Sequence, residues 1–247
     1  MKNEQVPPDF IGDSFELPHF FENHNYFKLT FSLGAIFMLL GIIVMYFTPS
    51  FPIGPGYFNV SGHPIFYMVS EAFMAFTLFT IGDVSGALFF WKKNPIFDSL
   101  TVAAIKTGVL ASCLTLLIGM IWAKAEWGYY WQWDPRETMA LLMFLFYLGV
   151  LIFRSTVDDY TDKAKLTAVL AIAAFPTVPM TDLVVGSLHP SNVLLGGNIS
   201  EFPFIGVMLL FIGTFFMYLC FVFLTIEHEQ LYLELERKKF ILMANSN

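Results

Sequence analysis

Charged side chains are scarce in this chain. Asp, Glu, Lys and Arg make up 13% of its 247 residues, against about a quarter in ordinary soluble domains. So little charge excludes a water-facing surface of the usual kind. Positive charge is scarcer still, with 13 Lys and Arg against 20 Asp and Glu and a net charge of -7. That balance leaves no electrostatic footprint for nucleic acid. Cysteine is nearly absent: Cys113 and Cys220 each sit inside an apolar run, and read as packed core thiols. The start, MKNEQVPPDF, lacks the basic-then-apolar pattern of a cleavable leader, so the first apolar run is expected to remain as an anchor. No internal repeat or low-complexity segment is visible.

Apolar residues fill the space that charge leaves. The chain is 56% hydrophobic, with 29 phenylalanines and a mean hydropathy of +0.64. Six runs approach or exceed the roughly 20 residues that span a bilayer as a helix. They cover Tyr26–Phe47, Pro64–Phe90, Leu100–Trp122, Thr138–Val157, Leu166–Leu188 and Phe202–Ile226. Backbone groups in lipid need internal partners, and runs of this length satisfy them as helices. The expected fold is therefore all-α, a polytopic bundle of six transmembrane helices over residues 26–226. Residues 1–25 mix acids with aromatics and read as an interfacial segment. Residues 227–247 carry enough charge to leave the membrane as a continuing helix, to which no chemistry is assigned. Pro176 and Pro179 are expected to kink the fifth span.

The few cations decide the orientation. Lys2, Lys28, Lys92, Lys93, Arg154, Lys163, Lys165, Arg237, Lys238 and Lys239 flank one side, whereas Lys124 and Arg136 belong to the other. The positive-inside rule then puts both termini in the cytoplasm. The loops 48–63, 123–137 and 189–201 fall outside. Four ionisable residues lie within the runs, where charge is costly and usually paired or functional. Asp83 and Lys106 lie at similar depth and are expected to pair; Glu71 and Asp182 lie in the outer half.

One external loop concentrates the aromatic residues. Between 127 and 133 stand Trp127, Trp131, Trp133, Tyr129 and Tyr130, beside Gly128. Interfacial aromatic belts are common, but their residues are usually scattered. Asp134-Pro135-Arg136-Glu137 follows, with an N-cap residue, a proline suited to the first helical position and a glutamate placed for a capping box. A cap of this kind fixes the end of the loop, as a binding platform requires.

The pattern Trp127-Gly128-x-x-Trp131-x-Trp133-Asp134-x-x-x-Thr138 resembles the tryptophan-rich WWD signature, WGxxWxWDxxxT, of the haem-handling CcmC/CcsA family of cytochrome c assembly. Asp134-Pro135-Arg136-Glu137-Thr138 is closer to the CcsA version, WDPKET, than to the common CcmC version, WDxRLT. Residues 62–71 loosely resemble the GHFPLSNLYE stretch of CcsA proteins, while length and span number fit CcmC. The resemblance is most specific over residues 127 to 138.

The resemblance implies a haem carrier rather than an enzyme, or part of a haem lyase if the CcsA-like features prevail. Haem b would be held non-covalently and transiently at the external face, since no CxxCH motif is present for covalent attachment. In the family a pair of external histidines flanks the loop and ligates haem, and that role falls on His63 and His189. His19, His24 and His228 fall on the cytoplasmic side. Trp127, Gly128, Trp131, Trp133 and Asp134 would form the platform, and Arg136 and Lys124 would meet the propionates. Glu71 and Asp182 are each placed to orient a histidine, and Glu71 equally to stand as a protonated, buried carboxyl. Implied partners are a CcmA/CcmB/CcmD-like ABC-type complex and a CcmE-like haem chaperone, or a CcsB-like protein. Without a GxxxxGKS/T phosphate loop, energy from ATP must come from such a partner. The implied location is a bacterial inner membrane. Two other classes remain: a membrane cytochrome b subunit, which would need histidine pairs within the spans, and a structural or transport subunit without haem.

Overall fold

The structure, a computed structural model, describes residues 24–47, 63–183 and 204–245. Helix α1 runs His24–Phe47, α2 His63–Lys92, α3 Pro95–Trp127, α4 Pro135–Ser155, α5 Tyr160–Ala174, α6 Thr177–Leu183 and α7 Phe204–Asn245. Among the described residues, six stretches are long and apolar enough to cross a membrane, with α5 and α6 together making one of them. The chain is an all-helical integral membrane protein, as the runs require.

Local chemistry sets several boundaries. Asn94 caps α3 by accepting from the Ile96 N–H at 2.9 Å, with Pro95 at the first helical position. The helix thus starts five residues before the third apolar run and takes in Asp98. Asp159 caps α5 in the same way, accepting from Asp162. The expected kink in the fifth span is a full break: α5 stops at Ala174, and α6 resumes at Thr177 beyond Phe175 and Pro176. Pro176 has no N–H to continue the ladder. Its carbonyl is satisfied within the new turn by the Met180 N–H at 3.3 Å. Helix α7 continues past Ile226 to Asn245 without interruption, so the charged tail is helical.

The core lies among α2, α3, α4, α5–α6 and α7. Phe79 and Tyr147 stack at 3.7 Å between ring centroids, within a cluster that includes Met74, Leu78, Ile105, Met143, Ala171 and Tyr218. Helix α1 stands at the side and packs chiefly on α7. Gly34 and Gly41 of α1 meet Met217 and Leu210, while Gly206 and Gly213 of α7 meet Met45 and Met38. Seven-residue spacing of small residues on both helices lets two backbones approach closely in lipid.

The buried charges pair differently from the sequence expectation. Asp83 does not meet Lys106; it accepts a hydrogen bond from the Tyr147 hydroxyl at 2.6 Å. Lys106 instead reaches Glu229 of α7 at 2.5 Å. Gly82 lets Ile105 fill the α2–α3 seam, since a Cβ there would meet Ile105 at 2.9 Å. Asp83 and Lys106 are the next residues along, each rotated away from that seam by about 100°. Asp83 therefore faces α4 and Lys106 faces α7. Glu229, assigned no chemistry, also lies 3.7 Å from Arg154. Arg154 is itself buried, gripped by both oxygens of Asp98 at 2.9 Å and by Thr167 at 2.9 Å. Glu71, which the sequence leaves as either a histidine-orienting group or a buried carboxyl, is buried and accepts from the Tyr218 hydroxyl of α7.

Candidate functional site

The aromatic loop closes one end of the bundle. Helix α3 ends at Trp127, and Gly128 follows in the left-handed conformation (φ 83°) that suits a glycine C-cap. Its N–H donates to the Lys124 carbonyl at 3.1 Å. The Lys124 ammonium donates back to the Gly128 carbonyl at 2.7 Å and lies 5.3 Å from the centre of the Tyr130 ring. Lys124 therefore fastens the turn as well as supplying charge. Asp134 caps α4, as expected, by accepting from the Arg136 and Glu137 N–H groups at 2.8 and 2.9 Å. Glu137 reaches back along the loop, accepting from the Gln132 N–H at 2.9 Å.

Between these two caps the rings take up distinct positions. Trp131 and Trp133 meet edge to face, with centroids 5.6 Å apart and planes at 83°, an arrangement that aligns a positive ring edge with a negative face. Trp133 is 71% exposed, as are Tyr129 and Tyr130 to a lesser extent. Trp131 is turned inward, and its indole nitrogen is buried without a hydrogen-bond partner among the described residues. Trp133 has a φ of 58°, unusual for a residue with a Cβ.

Beneath the loop lies a cavity of about 240 Å³. Its mouth is lined by Trp131, Arg136 and Glu137, and its walls by apolar residues of α2, α3 and α4 such as Met68, Phe76, Leu116 and Met143. It reaches from Ala123 to Ser112 along α3, eleven residues or about 16 Å. The charged groups among the lining residues are all at the loop end, and the deeper wall is apolar apart from the hydroxyls of Ser112, Thr115 and Thr181, so charge falls off with depth. That gradient matches a ligand with a large apolar body and a polar edge.

Of the residues singled out from sequence, Trp131 and Arg136 line the cavity. Trp133, Asp134, Gly128 and Lys124 build the loop that covers it. Trp127 ends α3, and His63 is the first residue of α2, two positions before Ile65 of the cavity wall. The first turn of α2 and the aromatic loop thus share one end of the bundle. His189 lies outside the described residues, so the spacing between the two candidate ligands does too. Sequence reading missed the wall residues Met68, Leu116 and Met143, which are indistinguishable there from lipid-facing apolar residues.

Comparison with known proteins finds a family model, heme exporter protein C (CcmC), matching residues 18–241. A putative ccmC-like mitochondrial protein of cytochrome c biosynthesis from Marchantia polymorpha is 30% identical over 171 residues, covering 68% of this chain and 73% of that one. The heme exporter protein C of Bradyrhizobium diazoefficiens is 30% identical over 139 residues, 54% of this chain and 53% of its own. The cytochrome c biogenesis protein CcsA of a Synechococcus strain is 38% identical over 83 residues, but these are only 33% of this chain and 27% of that one. The chain spans about half the length of the bacterial heme exporter relative and about a quarter of the CcsA relative.

Proposed function

Because the chain belongs to the heme exporter protein C (CcmC) family, we propose that it is a membrane haem carrier of cytochrome c maturation. It binds haem non-covalently at the external end of the bundle and releases it to a haem chaperone or apocytochrome. The observation that carries this reading is the cavity under the tryptophan-rich loop, largely apolar along its depth and with its charged groups, Arg136 and Glu137, confined to its mouth. A porphyrin body gains contact with such walls, while Arg136 stands where a propionate needs a counter-charge. His63, at the first position of α2, and His189 are the proposed axial ligands, and imidazole is a common donor to haem iron. Trp127, Trp131 and Trp133 supply the aromatic surface; Lys124, Gly128 and Asp134 hold its shape.

Release matters as much as binding for a carrier. A site closed by a loop rather than by the bundle core suits transient occupancy, since loops are the elements that open most readily. The proposed partners are an ABC-type complex and a haem chaperone. A CcsB-like partner and direct attachment of haem to apocytochrome form the second reading, favoured by the Asp134-Pro135-Arg136-Glu137-Thr138 sequence and the local CcsA similarity.

The test uses the purified full chain, loaded with haemin and followed by its Soret band. Wild type is expected to bind haem, and His63→Ala and His189→Ala to lose axial ligation while inserting normally into the membrane. Arg136→Ala is expected to weaken retention without changing the ligation spectrum. Full haem retention and normal holocytochrome formation by both histidine variants would falsify the ligand assignment. Transfer to a chaperone separates the two readings: a carrier hands over haem without attaching it to apocytochrome.

A further inference from the structure

Glu137 is the third residue of α4, where a carboxylate ordinarily reaches back to the N–H of the N-cap residue. Here it lies close to that N–H, at Asp134, while its hydrogen bond goes further back along the loop. It accepts from the Gln132 N–H at 2.9 Å, with the Trp133 N–H close by. One carboxylate thus faces three successive N–H groups from the stretch that follows Trp131 and bonds the first of them.

Two features of that stretch are unfavourable by themselves. Trp133 is held at a φ of 58°, in the left-handed region that residues with a Cβ rarely occupy. Trp131 buries an indole N–H that has no partner among the described residues, a costly arrangement for any donor. Strained conformations of this kind persist only where the surroundings over-determine them. Successive N–H groups wound around an anion are such a surrounding. Asp134 turns its side chain to the helix that follows, where Oδ1 accepts from the Arg136 and Glu137 N–H groups. The anion that holds the tryptophan pair is therefore the Glu137 carboxylate.

We infer that Glu137 is the positioning residue of the aromatic site, the anion around which residues 132–134 are wound so that Trp131 roofs the cavity and Trp133 stands outward. Glu137 also lines the cavity mouth, but the role assigned to it acts through the loop and requires no contact with ligand. The common CcmC pattern WDxRLT has leucine at this place, so the clamp distinguishes this chain from that version of the loop. The inference rests on the haem-carrier reading only for its consequence, the rate at which ligand is released.

The experiment compares wild type, Glu137→Gln and Glu137→Leu as full chains in detergent. Near-ultraviolet circular dichroism reads the Trp131–Trp133 couplet, assigned by its loss in Trp133→Phe, and stopped-flow transfer of haemin to an apoprotein acceptor reads release. Glu137→Leu is expected to lose the couplet while keeping its helical content. It should release haemin about tenfold faster or more, the scale of a lost charge-assisted hydrogen bond. Glu137→Gln keeps one acceptor oxygen and is expected to fall between the two. A wild-type couplet and release rate in Glu137→Leu overturn the inference. If Glu137→Leu does not accumulate, a wild-type rate in Glu137→Gln overturns it equally. If wild type takes up no haemin, the carrier reading falls, and the couplet alone decides the role of Glu137.

Discussion

Arg154 carries five N–H donors in a planar fork, and three of them are engaged: two go to Asp98 and one to Thr167, with Glu229 nearby as a second counter-charge. A buried pair of this kind owes its stability to completeness. Removing one partner leaves an uncompensated charge in a place with little water. Arg154→Met is expected to lower stability by about 3–5 kcal/mol, read from the thermal midpoint of the purified protein in detergent. The double variant Arg154→Met/Asp98→Leu should recover most of that loss. A double variant no better than the single one would mean that Arg154 acts through packing, not through the pair. Nothing about Arg154 in the sequence separates it from the other cations that flank the same side of the apolar runs. Asp98 was the available signal, because the Asn94-Pro95 helix start places it inside α3.

Helices α1 and α7 show how an element can be fixed by what it lacks. A Cβ on Gly213 would stand 2.6 Å from the Met38 backbone nitrogen, with no flexible side chain there to yield. Gly213→Val should force the two helices apart and cost about 1–3 kcal/mol, the range for overpacking. Gly149 supplies the control, since a Cβ there meets nothing within 4 Å. Gly149→Ala should leave the thermal midpoint unchanged or raise it slightly. Equal effects at the two glycines would sink the close-packing argument. In α5–α6, by contrast, Pro176 makes the break directly, and both prolines of that span were legible in the sequence.

For the molecule as a whole, the arrangement sorts chemistry by depth. One end holds the aromatic loop, the cavity mouth and the start of α2; the other holds the network of Asp98, Arg154, Glu229 and Lys106. The excess of Lys and Arg at the second end is the basis for proposing that it faces the cytoplasm. A cysteine at exposed Tyr129 is then expected to react with a membrane-impermeant thiol reagent in intact cells, and one at Lys93 only after lysis. The opposite labelling pattern would invert the orientation and remove the external haem site with it.

The sequence by itself determined the elements: six apolar runs, the cap at Asp134, the proline distortion of the fifth span and the loop in which tryptophans are concentrated. These follow from the length of apolar runs, from unsatisfied helix ends and from backbone constraints, all local in the chain. Only the tertiary structure decided which way each face points. Asp83 and Lys106 share a depth yet diverge, because a side chain's direction depends on rotation about the helix axis, and neighbouring helices fix that rotation. The same rotation brings Met68, Leu116 and Met143 together under Trp131. A cavity is a property of several helices at once, so no single run of residues encodes it.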